Sequence, residues 1–141
     1  MRYEKVVTIS APAETVWDVL TDLEAWPEMT ASMTSVERVE PGPIKVGARV
    51  RIKQPKLPPM EWTVTEVVEG QRFVWEATTP GARTSAAHTL LELPGETTLR
   101  LEIEQHGPMS GLMGLVFRGM THRYLDWETQ GFKSRAEGLS S

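Results

Sequence analysis

The apolar positions of this 141-residue chain follow two periods, and the change between them divides the sequence. From 109 to 137 the repeat is helical: Met109, Leu112, Met113, Val116, Met120, Tyr124 and Trp127 share one face at i, i+3, i+4 spacing. A helix of that length runs roughly 40 Å, and a small domain can bury its stripe only across a sheet. The preceding residues supply the sheet. Period-two segments bounded by Pro and Gly predict strands over 35–40, 48–54, 60–69, 72–79, 84–93 and 97–106. Parity sorts their side chains. Val50 and Ile52 share a face, as do Met60, Trp62 and Val64, then Phe73, Trp75 and Ala77, and finally Leu99, Leu101 and Ile103. The opposite parity carries Arg49, Arg51, Lys53, Glu61, Glu76, Arg100, Glu102 and Glu104, the pattern of a sheet wet on one side. Over 84–93 the parity is ambiguous, with His88 and Leu90 on one face and Leu91 and Leu93 on the other.

Ahead of this meander, residues 2–9 read as an edge strand. Ser10 and Pro12 then mark a helix start, with Glu14 near the positive end of its dipole and Ala13, Val16, Trp17 and Leu20 on its buried side. Pro27 disfavours helical geometry for Trp26, so a second short helix or turn follows, with Trp26, Met29 and Met33 available as lining. The order is β-α-α-β-β-β-β-β-β-α, an α+β fold in which a curved antiparallel seven-stranded sheet wraps the final helix.

Composition narrows the partners. With 40% hydrophobic and 24% charged residues the chain is ordinary for a globular protein, read as a single domain over 1–141. A net charge of −4, with no basic stripe, argues against nucleic acid. No cysteine is present, which removes disulfides, thiolate nucleophiles and Cys-based metal sites and fits a reducing compartment. The first residues lack the apolar core of a secretory signal and no stretch is long enough to span a bilayer, so a cytoplasmic location without membrane insertion is expected. The oligomeric state is left open by the sequence: an edge strand at 2–9 or 48–54 could pair between copies to give a homodimer.

Several stretches taken together resemble a known family. TISAPAETVWDVLTDLEAWPEM, the mid-chain VGARVRI, WTVTEVVEGQRFVWEA and the C-terminal helix are similar to the START-related helix-grip superfamily (SRPBCC), in particular its polyketide cyclase/dehydrase-like branch. The resemblance covers nearly the whole chain. It implies a helix-grip fold with a deep cavity, between the sheet and the long helix, that takes lipid-like or aromatic molecules.

Met60, Trp62, Phe73, Trp75, Met113, Val116, Met120 and Tyr124 are the expected apolar and aromatic lining, with Met thioethers suited to variable shapes. The same residues would also serve as plain core, and the two Trp as a cross-strand pair. Polar candidates are few. His88, if inward, is a ligand contact and the candidate acid or base, and Tyr124 or Arg123 would meet a carbonyl or oxyanion. Each also has an ordinary structural use, as a satisfied strand His, a bonded Tyr or a surface Arg covering apolar area. His122 belongs to the opposite, exposed side. The three His (His88, His106, His122) lack metal-site spacing, and no phosphate loop or GxSxG elbow is present, so no metal or cofactor is expected. Two functions remain open: a carrier or sensor of a small hydrophobic molecule, or a polyketide cyclase, aromatase or dehydratase using His88 as general acid/base. An interaction module would need an exposed apolar patch, which the pattern does not provide outside the helix face.

Overall fold

The structure is a computed structural model that describes the backbone of residues 2–108 and 110–140, with side chains described except at 110, 112–117 and 140. In chain order it runs β1 (Arg2–Ile9), α1 (Ala13–Thr21), a 3₁₀ turn (Leu23–Ala25), α2 (Trp26–Met29), β2 (Ser35–Arg38), β3 (Arg49–Lys53), β4 (Met60–Val68), β5 (Arg72–Thr79), β6 (Ala82–Leu93), β7 (Glu96–His106) and α3 (Ser110–Ser140). The strands form one seven-stranded antiparallel sheet ordered β1-β7-β6-β5-β4-β3-β2. Each step from β2 to β7 joins sequence neighbours, and β1 closes beside the last strand. A register shift between Val64 and Glu66, where β4 meets β5, interrupts the ladder there, a device that bends a strand and increases its twist.

One face of the sheet carries the core. Val50, Val64, Phe73 and Leu99 are almost completely buried, while Arg49, Arg51 and Glu61 point to solvent. The ambiguous strand resolves in favour of His88 and Leu90, which are buried, whereas Leu91 is 61% exposed. On the wet face, Glu4 accepts from Arg100 at 2.6 Å and Arg2 reaches Glu102, a cross-strand row of charges between β1 and β7. Exposed pairs of this kind contribute little individually.

Local expectations need three corrections. The first helix is not capped by Ser10: its N-cap is Pro12 with no side-chain cap, and the Ala13 N–H donates to Glu92 of β6 at 3.1 Å. Trp26 is helical (φ −54°, ψ −40°), because Pro27 sits within the first turn of α2, where a missing N–H costs nothing. Strand 48–54 is not an edge, since β3 pairs with β2 on one side and β4 on the other; the edges are β1 and β2.

The long helix lies across the concave face, against α1, α2, β1 and β7. Its buried stripe runs through Tyr124, Leu125, Glu128, Thr129, Phe132 and Ala136, and Met120 and Tyr124 of the expected face turn inward, while Met109 and the side chains of Leu112, Met113 and Val116 lie outside the described residues. Trp127 falls off that stripe, 38% exposed and stacked on Tyr124 at 5.8 Å. Phe132 and Ala136 are fully buried, and Phe132 packs on Trp26 with centroids 4.9 Å apart. Gly131 makes the close approach possible: a Cβ there would lie 2.2 Å from the Met29 carbonyl oxygen. This end of α3 is thus anchored on α2, and the preceding turns stand over the sheet.

Candidate ligand cavity

Between α3 and the sheet lies a cavity of about 300 Å³. Alternate residues of the strands build its floor, because period-two parity sends Ile52, Met60, Trp62, Trp75, Leu101 and Ile103 to the same side. The roof is α3, through Met120, Thr121, Tyr124, Leu125 and Glu128. A third wall comes from the β3–β4 connection, with Gln54, Leu57 and Pro58. The Tyr124 hydroxyl donates to the Pro55 carbonyl and so joins that connection to the roof. Lys53 Nζ holds the connection from within, donating to the Gln54 carbonyl at 2.7 Å and to that of Leu57.

The expected lining residues therefore divide. Met60, Trp62, Trp75, His88, Met120 and Tyr124 come together around the cavity. Phe73 does not line it. It lies fully buried beneath His88, with the two rings stacked 4.1 Å apart. The side chains of Met113 and Val116 lie outside the described residues. Arg123 is exposed and is not part of the lining, and His122 is exposed, its ring edge-on to Tyr3 at 5.2 Å.

His88 is enclosed by aromatic rings. Phe73 stacks on one side, Trp75 meets it edge-on at 5.4 Å and Trp26 tilts against it at 5.8 Å. Burial holds its pKa down to about 3, so the imidazole is neutral. Its Nδ1 lies 3.3 Å from the Phe73 carbonyl oxygen. A carbonyl only accepts, so Nδ1 carries the proton and Nε2 keeps a lone pair.

Glu128 was not singled out by pattern. It is 9% exposed and lines the cavity, and burial alone raises its carboxyl to about 8. The signal was present as spacing: Met120, Tyr124 and Glu128 recur every four residues, so a carboxylate occupied the apolar stripe itself. Burial also raises the Tyr124 phenol above its ordinary value. Among the described residues, no three His, Asp or Glu side chains are grouped so as to hold a metal ion, and no helix is long and apolar enough to cross a membrane.

A curved sheet closed over a C-terminal helix, with an apolar cavity between them, is the helix-grip architecture of START-related proteins. Residues 1–137 match the family model described as polyketide cyclase / dehydrase and lipid transport, and the chain belongs to that family. Solved structures share the fold at low identity. A START superfamily protein from Mycobacterium smegmatis aligns at TM-score 0.75 and 18% identity, covering 99% of each chain. The Zhui aromatase/cyclase from Streptomyces sp. R1128 aligns at 0.70 and 21%, covering 99% of this chain and 92% of that one. Norcoclaurine synthase from Thalictrum flavum, solved with dopamine and hydroxybenzaldehyde, aligns at 0.77 and 12%, covering 100% and 88%. No curated protein sequence matches the chain.

Proposed function

We propose that this protein binds a small hydrophobic molecule, lipid-like or aromatic, in the cavity beneath α3, and acts as its carrier or sensor. The observation that carries this reading is the cavity itself: about 300 Å³ walled by Trp62, Trp75, Met60 and Met120, with few polar groups. Its size lies at the lower end of the range for small-molecule sites, and its composition is of the same kind. The proposed contacts are Met60, Trp62, Trp75, His88, Met120 and Tyr124. Titration with lipids, polyketides and aromatic probes should change the Trp fluorescence saturably, and Trp75→Ala should weaken the response. A flat response across such a set would overturn the proposal.

A second reading, cyclase or dehydratase chemistry on a polyketide-like substrate, is supported by Glu128 more than by His88. General acid–base catalysis works best with a pKa near the operating pH. His88 at about 3 is far from it, and Glu128 at about 8 is close. Turnover lost in Glu128→Gln with binding retained would favour the enzyme. We further propose a cytoplasmic setting, supported by the absence of cysteine, and the free edge of β1 as the site of any pairing between copies. The net charge of −4 gives no support to a nucleic-acid partner.

A further inference from the structure

Glu128 differs in kind from the rest of the lining. It is 9% exposed and faces the cavity, and no hydrogen bond or ion pair reaches it from the described residues. A buried carboxyl without a partner is costly in either protonation state, most of all when ionised. Among the described residues no Lys or Arg lines the cavity to relieve it. The lining also holds the lone pair on His88 Nε2, a second acceptor, beside the uncharged side chains of Gln54, Thr79, Thr84, Gln105 and Thr121. Trp62 and Trp75, with ring centroids 6.0 Å apart, and Tyr124 add aromatic faces, whose negative charge attracts cations. Acceptors, π faces and an uncompensated carboxyl are complementary to one type of guest.

We infer that the cavity takes a hydrophobic amine, whose ammonium group pairs with Glu128 while its apolar body lies against Trp62, Trp75 and Met120. The inference rests on the ligand-binding reading of the same site and names the class of ligand. A neutral guest leaves the carboxyl protonated with no ionic partner, and an anionic guest opposes its ionisation in an enclosure whose described lining holds no Lys or Arg.

The proton balance follows. In the empty cavity burial keeps Glu128 protonated through neutral pH, and the amine arrives already protonated. On binding, the carboxyl proton leaves to solvent and an ammonium–carboxylate pair remains, so one proton is released per amine bound. Affinity for the amine therefore rises about tenfold per pH unit up to about pH 8 and then levels off. The other titratable groups facing the cavity are His88 from β6, which stays neutral, and Tyr124 from α3, whose phenol burial raises. The lining residues from β3, β4, β5 and β7 include none, so the slope belongs to Glu128.

Decylamine, decanol and decanoate, matched in chain length, test this by Trp fluorescence and calorimetry on the intact protein. Decylamine should bind at least tenfold more tightly than decanol, and decanoate more weakly than either. Decylamine affinity should rise about tenfold from pH 6.5 to 7.5 while decanol affinity stays constant. Glu128→Gln should reduce decylamine to the level of decanol, with retained decanol binding reporting an intact fold. Equal affinities for decylamine and decanol in the wild type, or a flat pH profile for the amine, would overturn the inference and leave the cavity reading standing. Failure of all three to bind would overturn both.

Discussion

His88 and Glu128 face one cavity, and burial moves them in opposite directions because it disfavours whichever form is charged. For the imidazole that form is the protonated one, and for the carboxyl it is the deprotonated one, so both are held neutral at neutral pH. A direct consequence concerns the tautomer of His88. Long-range ¹H–¹⁵N spectra should show a neutral ring protonated on Nδ1 from pH 8 down to about pH 4, without the usual transition near 6.5; an inflection near 6.5 would mean that the ring is solvated. His88 stands out in the sequence because it sits mid-strand among apolar residues, but its parity is ambiguous there. Hydrophobic residues flank it on both faces of β6, and only the pairing of His88 with Phe73 and Leu101 settles which side is inward. Glu128 is hidden in the sequence for a different reason: a single acidic residue on a helix reads as solvated, and only the full stripe from Met120 to Ala136 shows that it is not.

At the scale of elements, strands were more legible than helix faces. A strand has two faces, so one clear alternation such as Met60-Trp62-Val64 fixes it, whereas a helix stripe can rotate by a residue and still satisfy the same spacing. That is how the spacing points Trp127 inward while Leu125 and Phe132 hold the buried positions. The contacts between elements were not legible at all. The bond from Tyr124 to Pro55 joins residues 69 apart in sequence, and no local pattern encodes it. Tyr124→Phe removes this link and leaves the ring in place. Loss of about 1 kcal/mol is expected, together with faster amide hydrogen exchange confined to the connection between β3 and β4. Unchanged exchange there would show that the connection is held by its own internal bonds from Lys53.

For the whole molecule the two buried groups predict the shape of stability against pH. His88 titrates near 6.5 in the open chain and about 3 in the fold. Between those values the unfolded chain takes up a proton that the native one does not, so this contribution falls as pH falls. Glu128 titrates near 4.5 unfolded and about 8 folded. Between those values the native chain keeps a proton that the unfolded one releases, so its contribution falls as pH rises. Each slope is about 1.4 kcal/mol per pH unit. They oppose one another from pH 4.5 to 6.5, which gives a plateau there and a decline on either side. Glu40, lowered by hydrogen bonds from Arg49, and Glu137, lowered by Lys133, steepen the acid side. Urea unfolding across this range should trace the plateau, and Glu128→Gln should remove the alkaline decline and turn the plateau into a rise up to pH 6.5, because the His88 slope is then unopposed. Stability that climbs from pH 6.5 to 8 would contradict a buried, protonated Glu128.

The anchoring of α3 at Gly131 bears on the hollow three residues before it. Where the missing side chain lets the rod settle onto Met29, it acts as a fulcrum, and the headroom beneath Glu128 and Tyr124 depends on how low the rod rests there. The span available to a guest is thus set by a residue that never touches it.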